Sequence, residues 1–324
     1  MKYPFESNSE PQSEAQRYAL RDWNIRASVR ASQYTYSLPA DLQEQLENRR
    51  WFPAKFLPYL DHPAINCDDS YILHRLSANH LVHFLDYTTI LEHRIVNRSV
   101  EIIAHNELNI FMPPGMKTAA LQLYTDEGYH ALFSSELAEQ IAGFYGMTDR
   151  PVMPRRITDL SRWIECTPEQ HKNLAWFLVG FVSETIIAKE LLEVCRNELV
   201  SSVENMLRDH LNDEARHSRY FCEVFHFLWS HLQLDQRTFA AYSLLEILLI
   251  FFEVDEAWLC TSLRSVGLAE MSITQILCDQ SAPNKSLCRI RSGARATLSA
   301  LTQSGFFDVP ANRKLFSEAG LIDG

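Results

Sequence analysis

The 324-residue chain holds no pair of cysteines in a CxxC spacing and no G-x-G-x-x-G run. Nor does it have an uninterrupted apolar stretch approaching the about 20 residues a helix needs to cross a bilayer. Each absence excludes a class. Seven cysteines (Cys67, Cys166, Cys195, Cys222, Cys260, Cys278 and Cys288) are scattered and odd in number, which argues against a closed disulfide framework, a tetrathiolate zinc site or an iron–sulfur cluster. They are expected to be reduced thiols that mostly fill the core. The missing glycine fingerprint removes resident nicotinamide or flavin. With only 10 glycines, 46% apolar and 11% aromatic residues, the composition is that of a helix-rich globular protein, and all-α is the expected class. Basic residues are also short, 30 Lys and Arg against 41 Asp and Glu for a net charge of -11. That leaves no electrostatic footprint for nucleic acid or an anionic membrane. The start, "MKYPFESNSEPQSEAQ", has no apolar core of a secretory signal, so a cytoplasmic location is expected.

Helical segments dominate what is present. Residues 1–12 read as a loose tail, followed by an amphipathic helix over "SEAQRYALRDWNIRASVRAS" and a short one over "LPADLQEQLENRRWFP" that Pro53 stops. A long stretch from Asp68 to about Leu108, with at most one break, ends at "FMPPG". A second long helix runs from about Met116 to Tyr145 and closes at "GMTDRPVMP". "TPEQ" predicts the next start, with Thr167 as cap, Pro168 in the first turn and Gln170 at the capping-box position; that helix should reach about Glu198. A fourth follows from about Ser202 to Leu232, then several shorter helices with a loop at "DQSAPNKS". The most apolar run, "LLEILLIFFEV" (Leu244–Val254), is interrupted by Glu246 and Glu253 and predicts a buried or subunit-facing helix. The 324 residues form one unit: core helices over about 68–232, accessory helices over about 14–50 and 235–324, no repeat and no linker.

Two of the long helices carry the same phrase. Asp126–His130 reads "DEGYH" and Asp213–His217 reads "DEARH". Glu and His three positions apart differ by about 60° around a helix axis, so both project into one interhelical space. A single Glu-x-x-His is ordinarily a solvated pair. Two copies on separate long helices, joined by one carboxylate from each of two further helices, form the ligand set of a carboxylate-bridged dimetal centre in a four-helix bundle.

The remaining carboxylates have candidates. On the helix that opens at "TPEQ" the choices are Glu184, Glu190 and Glu193. Glu184 lies in the apolar "WFLVGFVSETIIA", where an unpaired carboxylate costs several kcal/mol unless neutralised or coordinated, whereas solvent explains Glu190 and Glu193 adequately. Upstream, Glu92 in "FLDYTTILEHRIV" has apolar flanks and is preferred over Glu101. His210, four residues before Glu214 on nearly the same stripe, adds a third imidazole. Four carboxylates balance two divalent ions, and the mixed nitrogen and oxygen donors suit iron, with manganese as an alternative. Asp126 and Asp213 are placed to accept from the outer ring nitrogen of a ligand histidine on the other helix. The other histidines, at 62, 74, 80, 83, 93, 105, 171, 226 and 231, read as surface or satisfied core groups. Leu123, Phe177, Phe181 and Phe221 could wall a dry chamber beside the metals, but such residues are more often core than pocket.

In the order "LEHRIV", "TDEGYH", "FVSET", "HLNDEARH", the chain resembles the diiron N-oxygenases typified by p-aminobenzoate N-oxygenase, over roughly residues 85–225. The resemblance implies a ferritin-like bundle. It also implies seven protein ligands, Glu92, Glu127, His130, Glu184, His210, Glu214 and His217, with His210 as the most diagnostic and Glu92 favoured over Glu101. The activity implied is N-oxygenation of a small-molecule or carrier-tethered amine in natural-product biosynthesis, with two iron ions, dioxygen as co-substrate, an external electron donor and a homodimer. Oxidation at carbon and non-catalytic iron binding are the alternatives.

Overall fold

The computed structural model describes residues 20–31, 36–66, 69–150 and 153–323; the expected tail over residues 1–12, the start of the first helix and Cys67 lie outside them. Helices make up the ordered structure. The short helices α1 (Trp23–Arg26), α2 (Ser28–Ala31) and α3 (Leu42–Asn48) precede the bundle. Its first member is α4 (Ser70–Ile90), which passes through a π-helical stretch at Leu91–Val96 into α5 (Asn97–Ala104). Then come α6 (Pro114–Tyr145), α7 (Arg155–Cys166), α8 (Lys172–Val194) and α9 (Ser201–His231). Beyond them lie α10 (Leu234–Phe252), α11 (Glu256–Arg264), α12 (Glu270–Gln280), α13 (Pro283–Gly293), α14 (Arg295–Gln303) and α15 (Pro310–Glu318). Among the described residues there is no strand, only an isolated bridge between Arg50 and Leu199.

The fold is the expected all-α ferritin-like bundle, built from α4 with α5, α6, α8 and α9. Helix α4 lies along α6 and α8 along α9, and α5 packs against both α6 and α8. Each end has a chemical cause. Asp69 accepts from the amides of Tyr71 and Ile72 to start α4. Pro114 occupies the first position of α6, and Gly146 closes it at φ 60°, where a side chain would be strained. At Gly180 the reason is proximity: a β-carbon there would collide with the Ser99 side chain, so glycine lets α8 approach α5 closely.

Two local expectations are corrected. The segment after residue 20 is two helices, because Ala27 adopts an extended conformation (φ -60°, ψ 136°) between them. The "TPEQ" cap does not form: Thr167 donates its hydroxyl to the Trp163 carbonyl, a 3-10 turn at Glu169–His171 intervenes, and α8 begins at Lys172 and ends at Val194. Half of the described cysteines pack against the core, Cys222 on one apolar cluster and Cys195 and Cys260 on the other. Cys166, Cys278 and Cys288 are exposed, Cys195, Cys222 and Cys260 half-buried, and all six are free thiols.

Buried apolar side chains fall into two clusters. One gathers Ile95, Leu123, Phe181 and Phe221; the other Leu85, Phe133, Ile187 and Leu207. On each of the four long helices the chain leaves one cluster and enters the other. Between them lies a polar layer. Leu123, Phe177, Phe181 and Phe221 are core, the more frequent role for such residues, with Phe177 stacked on Phe221 and Phe181 on Phe225. Among the described residues, no helix is long and apolar enough to cross a membrane.

Candidate metal centre

The polar layer consists of the residues singled out by spacing. Glu92, Glu127, His130, Glu184, His210, Glu214 and His217 are each 0% exposed. Helix α6 brings Glu127 and His130, α8 brings Glu184, and α9 brings His210, Glu214 and His217, while Glu92 comes from the π-helical stretch. The extra residue per turn in that stretch shifts the following helix around its axis without breaking it, and π-turns concentrate at functional sites. The competing Glu101 pairs with Arg98 at 3.2 Å on the bundle's outer side.

Two groups of donors converge: Glu92, His130, His210 and Glu214 in one, Glu127, His130, Glu214 and His217 in the other, with all donor atoms of a group within 4.8 Å of one another. Glu214 and His130 belong to both. His217 Nδ1 lies 2.8 Å from Glu127, 3.0 Å from Glu214 and 3.9 Å from Glu184. His130 Nδ1 lies 3.2 Å from Glu214, and His210 Nε2 2.8 Å from Glu92.

The outer nitrogens are held separately. His130 Nε2 is 3.1 Å from Asp213 and His217 Nε2 3.0 Å from Asp126, so each outer nitrogen has a carboxylate to receive its proton's hydrogen bond and Nδ1 faces the interior. The expected crossing holds: each Asp serves the histidine of the opposite helix. Both carboxylates are anchored in turn by the segment around Ala27. Trp23 donates its indole N–H to Asp126 at 2.8 Å, and the Ser28 amide donates to Asp213 at 3.0 Å, joined by Arg216. Sequence spacing did not suggest Trp23 or Ser28, since neither belongs to a repeated motif.

Electrostatics identify what this cluster is suited to hold. Burial raises Glu92 to about 7, against the pull of His210. It also raises Glu184 well above the carboxylate range, with Glu214 and Glu127 adding repulsion. Glu214 runs the other way, held well below that range despite burial because His217, His130 and His210 face it. Burial would depress His130 and His217, but the surrounding carboxylates push both well above the usual imidazole value. No Lys or Arg among the described residues pairs with any of the four glutamates. Both oxygens of Glu127 and of Glu184, and one each of Glu92 and Glu214, lack an aligned hydrogen-bond donor. Acceptors left open in a dry interior fit multivalent cations, which satisfy carboxylate lone pairs and cancel their repulsion together.

A ferritin-like helical bundle with a buried cluster of carboxylates and imidazoles at its waist is the class that fold and site define. Within it, the chain belongs to the family described as P-aminobenzoate N-oxygenase AurF, whose model matches residues 25–259. Comparison with curated proteins finds no match. Membership implies an oxygenase enzyme.

Proposed function

We propose that the protein is a non-haem diiron oxygenase that uses dioxygen and externally supplied electrons to oxygenate the nitrogen of an amine. The observation that carries this reading is the set of open carboxylate oxygens beside three imidazoles in the polar layer. Glu92, His130, His210 and Glu214 would hold one ion, and Glu127, His217, Glu214 and Glu184 the other. When bound, the iron pair supplies activation of dioxygen and takes up the delivered electrons. The protein's own residues do the rest. Asp126 and Asp213 keep a proton on each Nε2, which fixes the rings and strengthens Nδ1 as a donor. The two apolar clusters exclude water above and below the layer.

Substrate access is supported by a cavity of about 390 Å³ lined by His80, His83, Phe84 and Tyr87 of α4 and by Lys189 and Glu190 of α8. Glu190 follows Glu184 by six residues on one helix, about 9 Å along the axis. Tyr87, which lines the cavity, precedes Glu92 by five residues along the chain. The products would be a hydroxylamine, then nitroso or nitro compounds, in the biosynthesis of a small natural product.

Two measurements test the reading. Metal analysis of chelator-free protein should return about two ions per chain; a large excess indicates storage, and substoichiometric metal a bundle without a centre. Incubation of amines with the reduced protein under labelled dioxygen should place the label on nitrogen. Label on carbon would replace N-oxygenation by hydroxylation.

A further inference from the structure

The cavity lined by α4, α7 and α8 is crowded with charge, yet most of it is already spoken for. Arg155 pairs with Asp159 at 3.1 Å and Glu253 at 2.5 Å, and Lys189 pairs with Glu193 at 3.2 Å. Arg289 donates to the Gln280 carbonyl at 2.9 Å and the Ser286 hydroxyl at 3.0 Å. Lys55 donates to the Glu193 carbonyl at 3.1 Å, and Asp255 accepts from the Trp258 amide at 3.0 Å. Arg156 and Glu190 stand apart. Among the described residues neither has an opposite charge within the 4.0 Å of an ion pair. The Arg156 guanidinium instead lies over the rings of Tyr87, 4.7 Å from the centroid, and Phe251, at 5.4 Å.

The two charges feel each other without touching: Arg156 draws the Glu190 carboxyl down while burial, the larger effect, raises it. Half-buried unlike charges that face one cavity with a gap between them are each short of a partner, and a molecule carrying both opposite charges satisfies both at once. The walls add a ring-shaped requirement. Phe52, Phe84 and Trp258 line the space, and His83 stacks on Trp258 at 4.3 Å. Its 390 Å³ suits one compact ring-bearing molecule.

Building on the oxygenase reading, we infer that Arg156 and Glu190 are specificity-determining residues that select an aromatic substrate carrying both an acid and a strongly basic amine. Arg156 receives the acid, and Glu190 receives the ammonium on the side nearer Glu184. A weakly basic arylamine, neutral at pH 7, leaves Glu190 without its counter-ion and is bound through the acid alone.

Binding to the iron-loaded protein, without reductant, tests this with matched probes: L-phenylalanine carries both charges, phenethylamine only the amine, 3-phenylpropanoate only the acid, and 4-aminobenzoate an acid with a neutral amine. Titration calorimetry and Trp258 fluorescence should rank L-phenylalanine first. Arg156→Met, which keeps the stem over the rings, should weaken the three acids by about 10- to 100-fold and leave phenethylamine unchanged. Arg156→Lys should recover part of the loss. Glu190→Gln should weaken L-phenylalanine and phenethylamine by a similar factor and spare 3-phenylpropanoate and 4-aminobenzoate. Equal affinities for all four probes, failure of every probe to bind, or variants that weaken all probes alike would overturn the assignment. Because no turnover is needed, binding without oxidation would count against the oxygenase reading alone. Amine oxidation indifferent to both substitutions would count against this pair alone.

Discussion

Two sets of histidines in this molecule show how much a neighbourhood decides. His130, His210 and His217 lie fully inside the polar layer and face carboxylates, which push all three above the usual imidazole value although burial opposes the rise. His80 and His83 lie one stretch away on α4, at the cavity. There burial and the Arg156 charge act together and pull both down to about 3. Their Nδ1 atoms are inside and lack a hydrogen-bond partner, so they are neither surface groups nor satisfied core groups. Burial alone disfavours the charged ring in both places. Carboxylates convert one set into donors for cations, while aromatic walls and a guanidinium keep the other neutral and unliganded.

The strongest way to break this contrast is to delete one ring from each set. His217→Ala should reduce bound metal from about two ions per chain to one or fewer by elemental analysis, whereas His83→Ala should leave the stoichiometry intact; equal losses would erase the distinction. A subtler cut removes only the support. Asp126→Asn keeps the size of the side chain that orients His217, and competition with a chelator should show metal affinity lowered by about 10- to 100-fold. Unchanged affinity would mean that the 3.0 Å contact to His217 does not act on the site.

Acidification separates the sets by sign. For His80 and His83 the folded value, about 3, lies below the unfolded value of about 6.5. Their contribution to stability is therefore present above pH ~6.5 and is lost as pH falls toward 3. Melting of metal-free protein between pH 7 and pH 4 should show this acid-side loss, and the double variant His80→Phe, His83→Leu should flatten it. An identical slope in the variant would remove the cavity pair from the account. The smallest effect is expected at Glu101, which the spacing left as a competitor to Glu92: Glu101→Gln removes a partly exposed pair with Arg98 and should change stability by about 1 kcal/mol or less, with metal content untouched.

The repeated Asp-Glu-x-x-His phrase identified the two helices that supply most of the cluster, because helical periodicity converts a three-residue spacing directly into a shared face. Apolar flanks marked Glu184 and Glu92 as carboxylates that the fold buries. The same reasoning undervalued Glu190, which polar sequence neighbours made look solvated but which the fold turns into a cavity wall. It was blind to the π-helical stretch around Glu92, whose one-residue offset leaves no mark in composition. Helix α7 also went unread, as did the break at Ala27 that frees the Ser28 amide for Asp213. The break at Ala27 depends on a partner distant along the chain, whereas α7 carries a local signal in Ile157, Leu160 and Ile164, which recur at helical spacing.

By itself the sequence determined a helical bundle and the inventory of carboxylates and imidazoles facing its interior, since both follow from periods of a few residues and from the cost of burying charge. Only the tertiary structure decided which ring nitrogens point inward, how Trp23 and Ser28 brace the two aspartates, and which two charges of the cavity lack a counter-ion. Those properties arise where segments distant along the chain are brought together, 83 residues apart for His130 and Asp213 and 185 for Ser28 and Asp213, and local chemistry carries no information about who the neighbour will be.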